Sequence, residues 1–143
     1  MKREETIDFH LKSTWHNISR YYNNIAARHN TTMSIGFILL TIDIKDGTPS
    51  TKLGPAMGMT PRSLVRSLAQ LEKNNLIYRK SDPTDKRKVR IFLTQDGIDA
   101  REIAKDTVID FNTSIRETLT ESELDSFFST MQKINSTLNE LNT

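Results

Sequence analysis

The chain has 143 residues, 36% of them hydrophobic and 27% charged, which is the make-up of one folded domain with a real core and argues against disorder. It contains no cysteine, so disulfides, thiolate metal sites and thiol redox switches are excluded, and a cytoplasmic location is expected. The net charge of +2 is uneven: residues 51–90 carry ten Lys/Arg against three Asp/Glu, or +7, whereas residues 91–143 carry four against ten, or −6. A basic middle of that kind suits a polyanion, with the flanking segments doing other work.

The N-terminus "MKREETIDFH" lacks the apolar stretch of a secretory signal, and the longest uncharged apolar run, "SIGFILLTI" at 34–42, is far shorter than the roughly 20 residues a bilayer requires. No membrane association is expected, and the Asn-X-Ser/Thr patterns at Asn17, Asn30, Asn112 and Asn135 carry no meaning without export. Ile7, Leu11, Trp15, Ile18, Tyr22 and Ile25 recur every three or four residues, predicting a long amphipathic helix to about His29. "SIGFILLTIDI" predicts a second, buried helix that ends in a "KDGTPS" loop. Ser50 is expected to cap a short third helix through "TKLGPAMG", made irregular by Gly54 and Pro55.

Thr60-Pro61 is a strong start for a fourth helix, a hydroxyl cap followed by a residue whose φ is already set. Leu64, Leu68 and Leu71 give that helix an inward face and leave Arg62, Ser63, Arg66, Ser67 and Gln70 outside. It is expected to stop at Asn74-Asn75, since asparagine tolerates the left-handed conformation. "LIYRK" and "VRIFLT" then predict two strands joined by a turn beginning at Asp82-Pro83. Thr94 is placed to cap a fifth helix with Ala104, Val108, Phe111, Ile115 and Leu119 on one stripe. Thr120 and Glu123 make a capping box before a sixth, striped by Leu124, Phe127, Met131, Ile134, Leu138 and Leu141.

The expected fold is therefore mainly α with a small β-hairpin: a winged helix-turn-helix, whose second helix enters the DNA major groove while the hairpin contacts phosphates or the minor groove. The hairpin tip concentrates Lys86, Arg87, Lys88 and Arg90, which answers to that role. Arginines at 62 and 66 can bond bidentately to guanine, and Ser63 can reach a base or a phosphate.

"TPRSLVRSLAQLEKNNLI" followed by "DPTDKRKVRIFLTQDG" resembles the MarR (multiple antibiotic resistance) regulators over nearly the whole chain, most specifically in the spacing of Asp85, Lys86 and Arg87 from Leu93-Thr94 and Gly97. The resemblance implies one domain over 1–143, with a DNA-binding lobe at 33–94 and a helical dimerisation region at 5–30 and 95–142. It implies a homodimeric, sequence-specific binder of double-stranded DNA at a palindromic operator, a repressor released by a small aromatic or phenolic effector. The DNA-binding set is then Ser50, Thr60, Pro61, Arg62, Ser63, Arg66, Asp85, Lys86, Arg87, Lys88 and Arg90, with Arg87 in the minor groove held by Asp85. Trp15, Tyr22, Met33 and Phe37 are the candidates for an effector pocket, although such spacing also suits plain core. Asn75 stands where many members have glycine, Gly54-Pro55 replaces the usual helix formers, and Val65 lies where Ser or Thr is frequent.

Other chemistry is poorly supported. His10 and His16 fall on different helix faces, and His29 has no carboxylate at ligand spacing. Asp43, Asp46 and Gly47 lack the alternating ligands of a calcium loop. No nucleophile–base pair, phosphate loop or metal constellation is evident, so neither enzyme activity nor a cofactor is expected. The alternative to a DNA binder is a winged-helix module for protein–protein assembly.

Overall fold

The computed structural model describes the backbone of residues 1–143 and the side chains of all but residues 56 and 57. A 3₁₀ turn at Arg3–Glu5 precedes α1 (Ile7–Ala27), followed by α2 (Met33–Thr41), β1 (Thr48–Pro49), α3 (Ser50–Met57), α4 (Pro61–Lys73), β2 (Ile77–Ser81), β3 (Val89–Leu93), α5 (Gln95–Arg116) and α6 (Glu121–Leu141). The chain divides into two compact units, residues 1–107 and 108–143, so α1 belongs with the lobe of α2–α4 and the sheet. No helix among the described residues is long and apolar enough to cross a membrane.

The core of the first unit forms where apolar stripes from every layer converge. Ile35, Ile38 and Leu39 of α2, Leu53 of α3, Leu68 and Leu71 of α4, and Ile77, Ile91 and Leu93 of the sheet are all buried, together with Ile42. Thr32 caps α2 by accepting a hydrogen bond from the Ile35 N–H. α4 begins as its sequence predicts: Pro61 is the first helical residue, and the Thr60 hydroxyl accepts from the Ser63 N–H. Its end is equally local, for Asn75 has a φ of 58° and turns the chain into β2.

Two expectations need correction. "KDGTPS" is not wholly loop, because Thr48 and Pro49 form a short strand pairing antiparallel with Ile91 and Arg90, giving a three-stranded sheet in the order β1-β3-β2. Proline is tolerated there because β1 is an edge strand. As a consequence Pro49, not Ser50, holds the cap position of α3, and Ser50 is its first residue. α3 is short, runs through Gly54 and Pro55 and stops at Gly58, in the left-handed region at φ 63°.

In the second unit α6 starts with the expected capping box, Thr120 accepting from the Glu123 N–H while Glu123 accepts from the Thr120 N–H. Leu124, Met131 and Ile134 are half-buried along it, whereas Phe127, Leu138 and Leu141 remain exposed.

The junction between the sheet and α5 is unusually close. The Thr94 N–H donates to the Leu76 carbonyl at 3.0 Å, the Thr94 hydroxyl donates to the Asn75 carbonyl at 2.7 Å, and the same hydroxyl oxygen caps α5 by accepting from the Gly97 N–H at 3.0 Å. Gly97 itself is buried, and a Cβ on it would overlap the Leu76 carbonyl. Gly97→Ala is therefore expected to lower the unfolding free energy by roughly 1–3 kcal/mol, the usual cost of forcing extra volume into a packed site, as read from chemical denaturation with an unchanged m-value.

Candidate nucleic-acid interface

α4 presents two opposite faces. Leu68 and Leu71 are at most 3% exposed, with Leu64 packed against the same core, so the helix cannot rotate without opening it. The other face therefore points reliably to solvent. Arg62 and Arg66 lie on it, exposed, with no hydrogen bond or ion pair among the described residues. Ser63 is exposed too, and its hydroxyl oxygen accepts from the Thr60 hydroxyl at 2.9 Å, which leaves its own proton available to a ligand. Pro61 is exposed at the helix start, and Ser50 is half-buried at the start of α3.

The loop from 82 to 88 is organised by one carboxylate. Asp82 is only 5% exposed. Its Oδ1 accepts from the Thr84 N–H at 2.9 Å, the Thr84 hydroxyl at 2.7 Å and the Asp85 N–H at 3.2 Å. Its Oδ2 accepts from Arg90 Nη2 at 3.2 Å and Nε at 3.3 Å. Two backbone hydrogen bonds, Asp82 N–H to the Lys88 carbonyl at 2.9 Å and Lys88 N–H to the Asp85 carbonyl at 3.0 Å, close the loop.

Lys86, Arg87 and Lys88 project from that frame. The Arg87 side chain is 92% exposed, and its Nε reaches Asp85 Oδ1 at 3.4 Å. The same oxygen accepts the Arg87 N–H at 3.0 Å. A solvent-exposed pair of this kind adds little stability, so its physical effect is to restrict where the guanidinium points. Lys86 and Lys88 have no ion pair among the described residues.

Arg90 is engaged within the fold. Besides Asp82, its Nη1 donates to the carbonyls of Asp46 at 3.1 Å and Gly47 at 3.4 Å, and the side chain is only 24% exposed. A buried carboxylate demands a charged or hydrogen-bonding partner, and that demand turns Arg90 into a strut between the hairpin base and the turn before β1 rather than a projecting cation. Sequence reasoning recognised Asp82 as a turn residue and missed it as the hub. The clue is an Asp-Pro-Thr turn with an arginine eight positions on.

Another basic side chain that sequence reading passed over, Lys80, lies over the stacked rings of Tyr78 and Phe92, 5.5 and 5.8 Å from their centres. Arg79 pairs with Glu72 at 3.0 Å and so ties β2 to α4.

Of the four suggested effector residues, Tyr22 and Phe37 are in direct contact. Tyr22 is buried edge-on against Phe37, ring centres 5.6 Å apart, and burial raises its phenol pKa, helped by neighbouring Tyr21. Met33 is half-buried and Trp15 is 52% exposed. A small cavity of about 220 Å³ lies elsewhere, lined in part by His29, Asn30, Gln70 and Asn74. Asp43 Oδ1 accepts from the Lys45 and Asp46 N–H groups, which makes the 43–47 segment a side-chain-stabilised turn.

The hydrogen bonds from Thr84, first from its hydroxyl and then from its N–H, hold the Asp82 carboxyl far below the usual aspartate range; Asp85 and Arg90 add to this, and burial opposes it. In the unfolded chain the same group titrates near about 3.9, so the stabilisation is complete above that pH and is lost as the pH falls below it. Asp82→Asn is accordingly expected to lower the thermal midpoint at pH 7, and the gap from wild type should narrow steadily below about pH 4 in a pH series of melts.

Comparison with known proteins agrees with this geometry. A profile of the MarR family matches residues 31–89. The HTH-type transcriptional regulator TtmR of Methylorubrum extorquens is 28% identical over 89 residues, 62% of this chain but 46% of that protein, so the chain spans under half of that relative's length. The organic hydroperoxide resistance transcriptional regulator of Bacillus subtilis is 28% identical over 106 residues, 74% of this chain and 72% of that one. The crystal structure of S. aureus MepR bound to DNA superposes with a TM-score of 0.82 at 22% identity, covering 92% of this chain and 98% of MepR, a likeness of fold.

Proposed function

We propose that the chain, whose residues 31–89 match the MarR family profile, is a regulator of that family, binding a nearly palindromic DNA operator sequence-specifically as a homodimer. The observation that carries the reading is the pair Arg62 and Arg66, unpaired among the described residues and exposed on a helix whose opposite face is locked into the core. Arginines held this way can reach guanine edges in a major groove. Lys86, Arg87 and Lys88, projecting from a hydrogen-bonded loop of the same unit, supply charge for phosphates or a narrow minor groove.

The homodimer is supported by apolar side chains exposed on helices of each unit. Ile7 and Trp15 on α1 and Phe127, Phe128, Leu138 and Leu141 on α6 are each 46% exposed or more. Apolar side chains left exposed along a helix suit an interaction surface, and a twofold pair of chains is the commonest way to cover one. A dimer seated on its operator blocks access to it, so repression is the expected outcome.

Selection from a random duplex pool with purified protein is expected to enrich a palindrome whose half-sites are centred one helical turn apart or a multiple of it. Affinity for that site should fall steeply with salt, with a log–log slope near about −5 if roughly six phosphates are neutralised by the dimer. Weak binding without enrichment would instead favour an assembly module. On the selected site, Arg62→Ala should cost roughly 1–3 kcal/mol and relax preference at one position per half-site, whereas Arg87→Ala should weaken binding with the fold intact. Competition binding against singly substituted duplexes separates the two patterns.

A further inference from the structure

The outward stripe of α4 consists of Arg62, Val65, Arg66 and Ala69, at the i, i+3, i+4, i+7 spacing of one helix face, and all four are exposed. Val65 is anomalous among them. It keeps 65% of its surface in solvent while Leu64, Leu68 and Leu71 supply the buried face, so it adds little to the core. A β-branched residue is also a poorer helix former than the straight-chain or small residues available to a solvent position. Its place between two unpaired arginines, on the face that would meet DNA, suggests a contact made only in a complex.

A major groove offers a single apolar group among its base edges, the 5-methyl of thymine. We infer that Val65 reads a thymine methyl, packing its isopropyl group on it while Arg62 or Arg66 bonds a neighbouring base or phosphate. Cytosine in the same place would present an amino donor to an apolar side chain and lose that donor's water, and so would be disfavoured. Each half-site would then carry an obligatory thymine, a specificity element that charge alone does not supply. The inference rests on the DNA-binding reading above and deepens it.

The test starts from the operator recovered by selection and replaces each thymine of a half-site, one at a time, by deoxyuridine, which deletes one methyl and leaves base pairing intact. Full-length wild type and Val65→Ala are titrated against the set. Wild type is expected to lose about fourfold at one position, the equivalent of ~0.8 kcal/mol for one buried apolar carbon, and about fifteenfold when both half-sites are changed. Val65→Ala should bind the thymine operator more weakly by a similar factor and be indifferent to deoxyuridine there. Alanine is the better helix former and the site is exposed, so the variant folds. Tight wild-type binding that is equal on every deoxyuridine duplex, or a penalty that persists in Val65→Ala, overturns the inference and leaves the DNA reading standing. Failure to enrich any sequence overturns both.

Discussion

A carboxylate removed from water has to be surrounded by donors, and Asp82 satisfies that requirement with five hydrogen bonds from three residues. Both ends of the hairpin loop, and through Arg90 the turn preceding β1, are bound to this one side chain. The loop can therefore carry three consecutive cations whose mutual repulsion would otherwise open it. Charge is presented by the tip and shape is held at the base, and different residues do each.

The same separation of duties runs through α4. Its leucine face and the Arg79–Glu72 pair fix the helix against the core and β2, and Thr60 caps its start, while Arg62, Val65 and Arg66 face solvent. At the far end Asn75 turns the chain, and Thr94 and Gly97 bring α5 directly onto that turn. A helix anchored at its buried face and at its C-terminus has its exposed first turns pre-positioned, so a ligand need not bear the cost of ordering them.

Much of this was legible locally. Thr60-Pro61 and Asn75 bound a helix through the chemistry of two or three residues, as do Thr120 and Glu123, and the leucine spacing assigns the inner face without any knowledge of what it packs on. Features that depend on distant partners were not legible. β1 is two residues long and contains proline, so it has no strand signature of its own and exists only because β3 offers an unpaired edge. Arg90 reads as one more cation in a basic run until the hairpin register places it beside Asp82 and the carbonyls of Asp46 and Gly47. Gly97 matched a motif by spacing, but its necessity comes from the Leu76 carbonyl pressed against it.

The amino-acid sequence by itself determined the helices, their caps, the amphipathic faces, the hairpin and the concentration of positive charge in residues 51–90, because each of these follows from period, local turn chemistry or composition. Tertiary structure alone decided which charges are free and which are consumed. Arg62, Arg66, Lys86 and Lys88 stand unpaired among the described residues, whereas Arg79, Arg90 and Lys80 are engaged by a carboxylate, a buried hub and an aromatic pair. The physical reason is that an ion's partner is chosen by distance in space, and residues 44 positions apart, such as Asp46 and Arg90, become neighbours only once the sheet has formed.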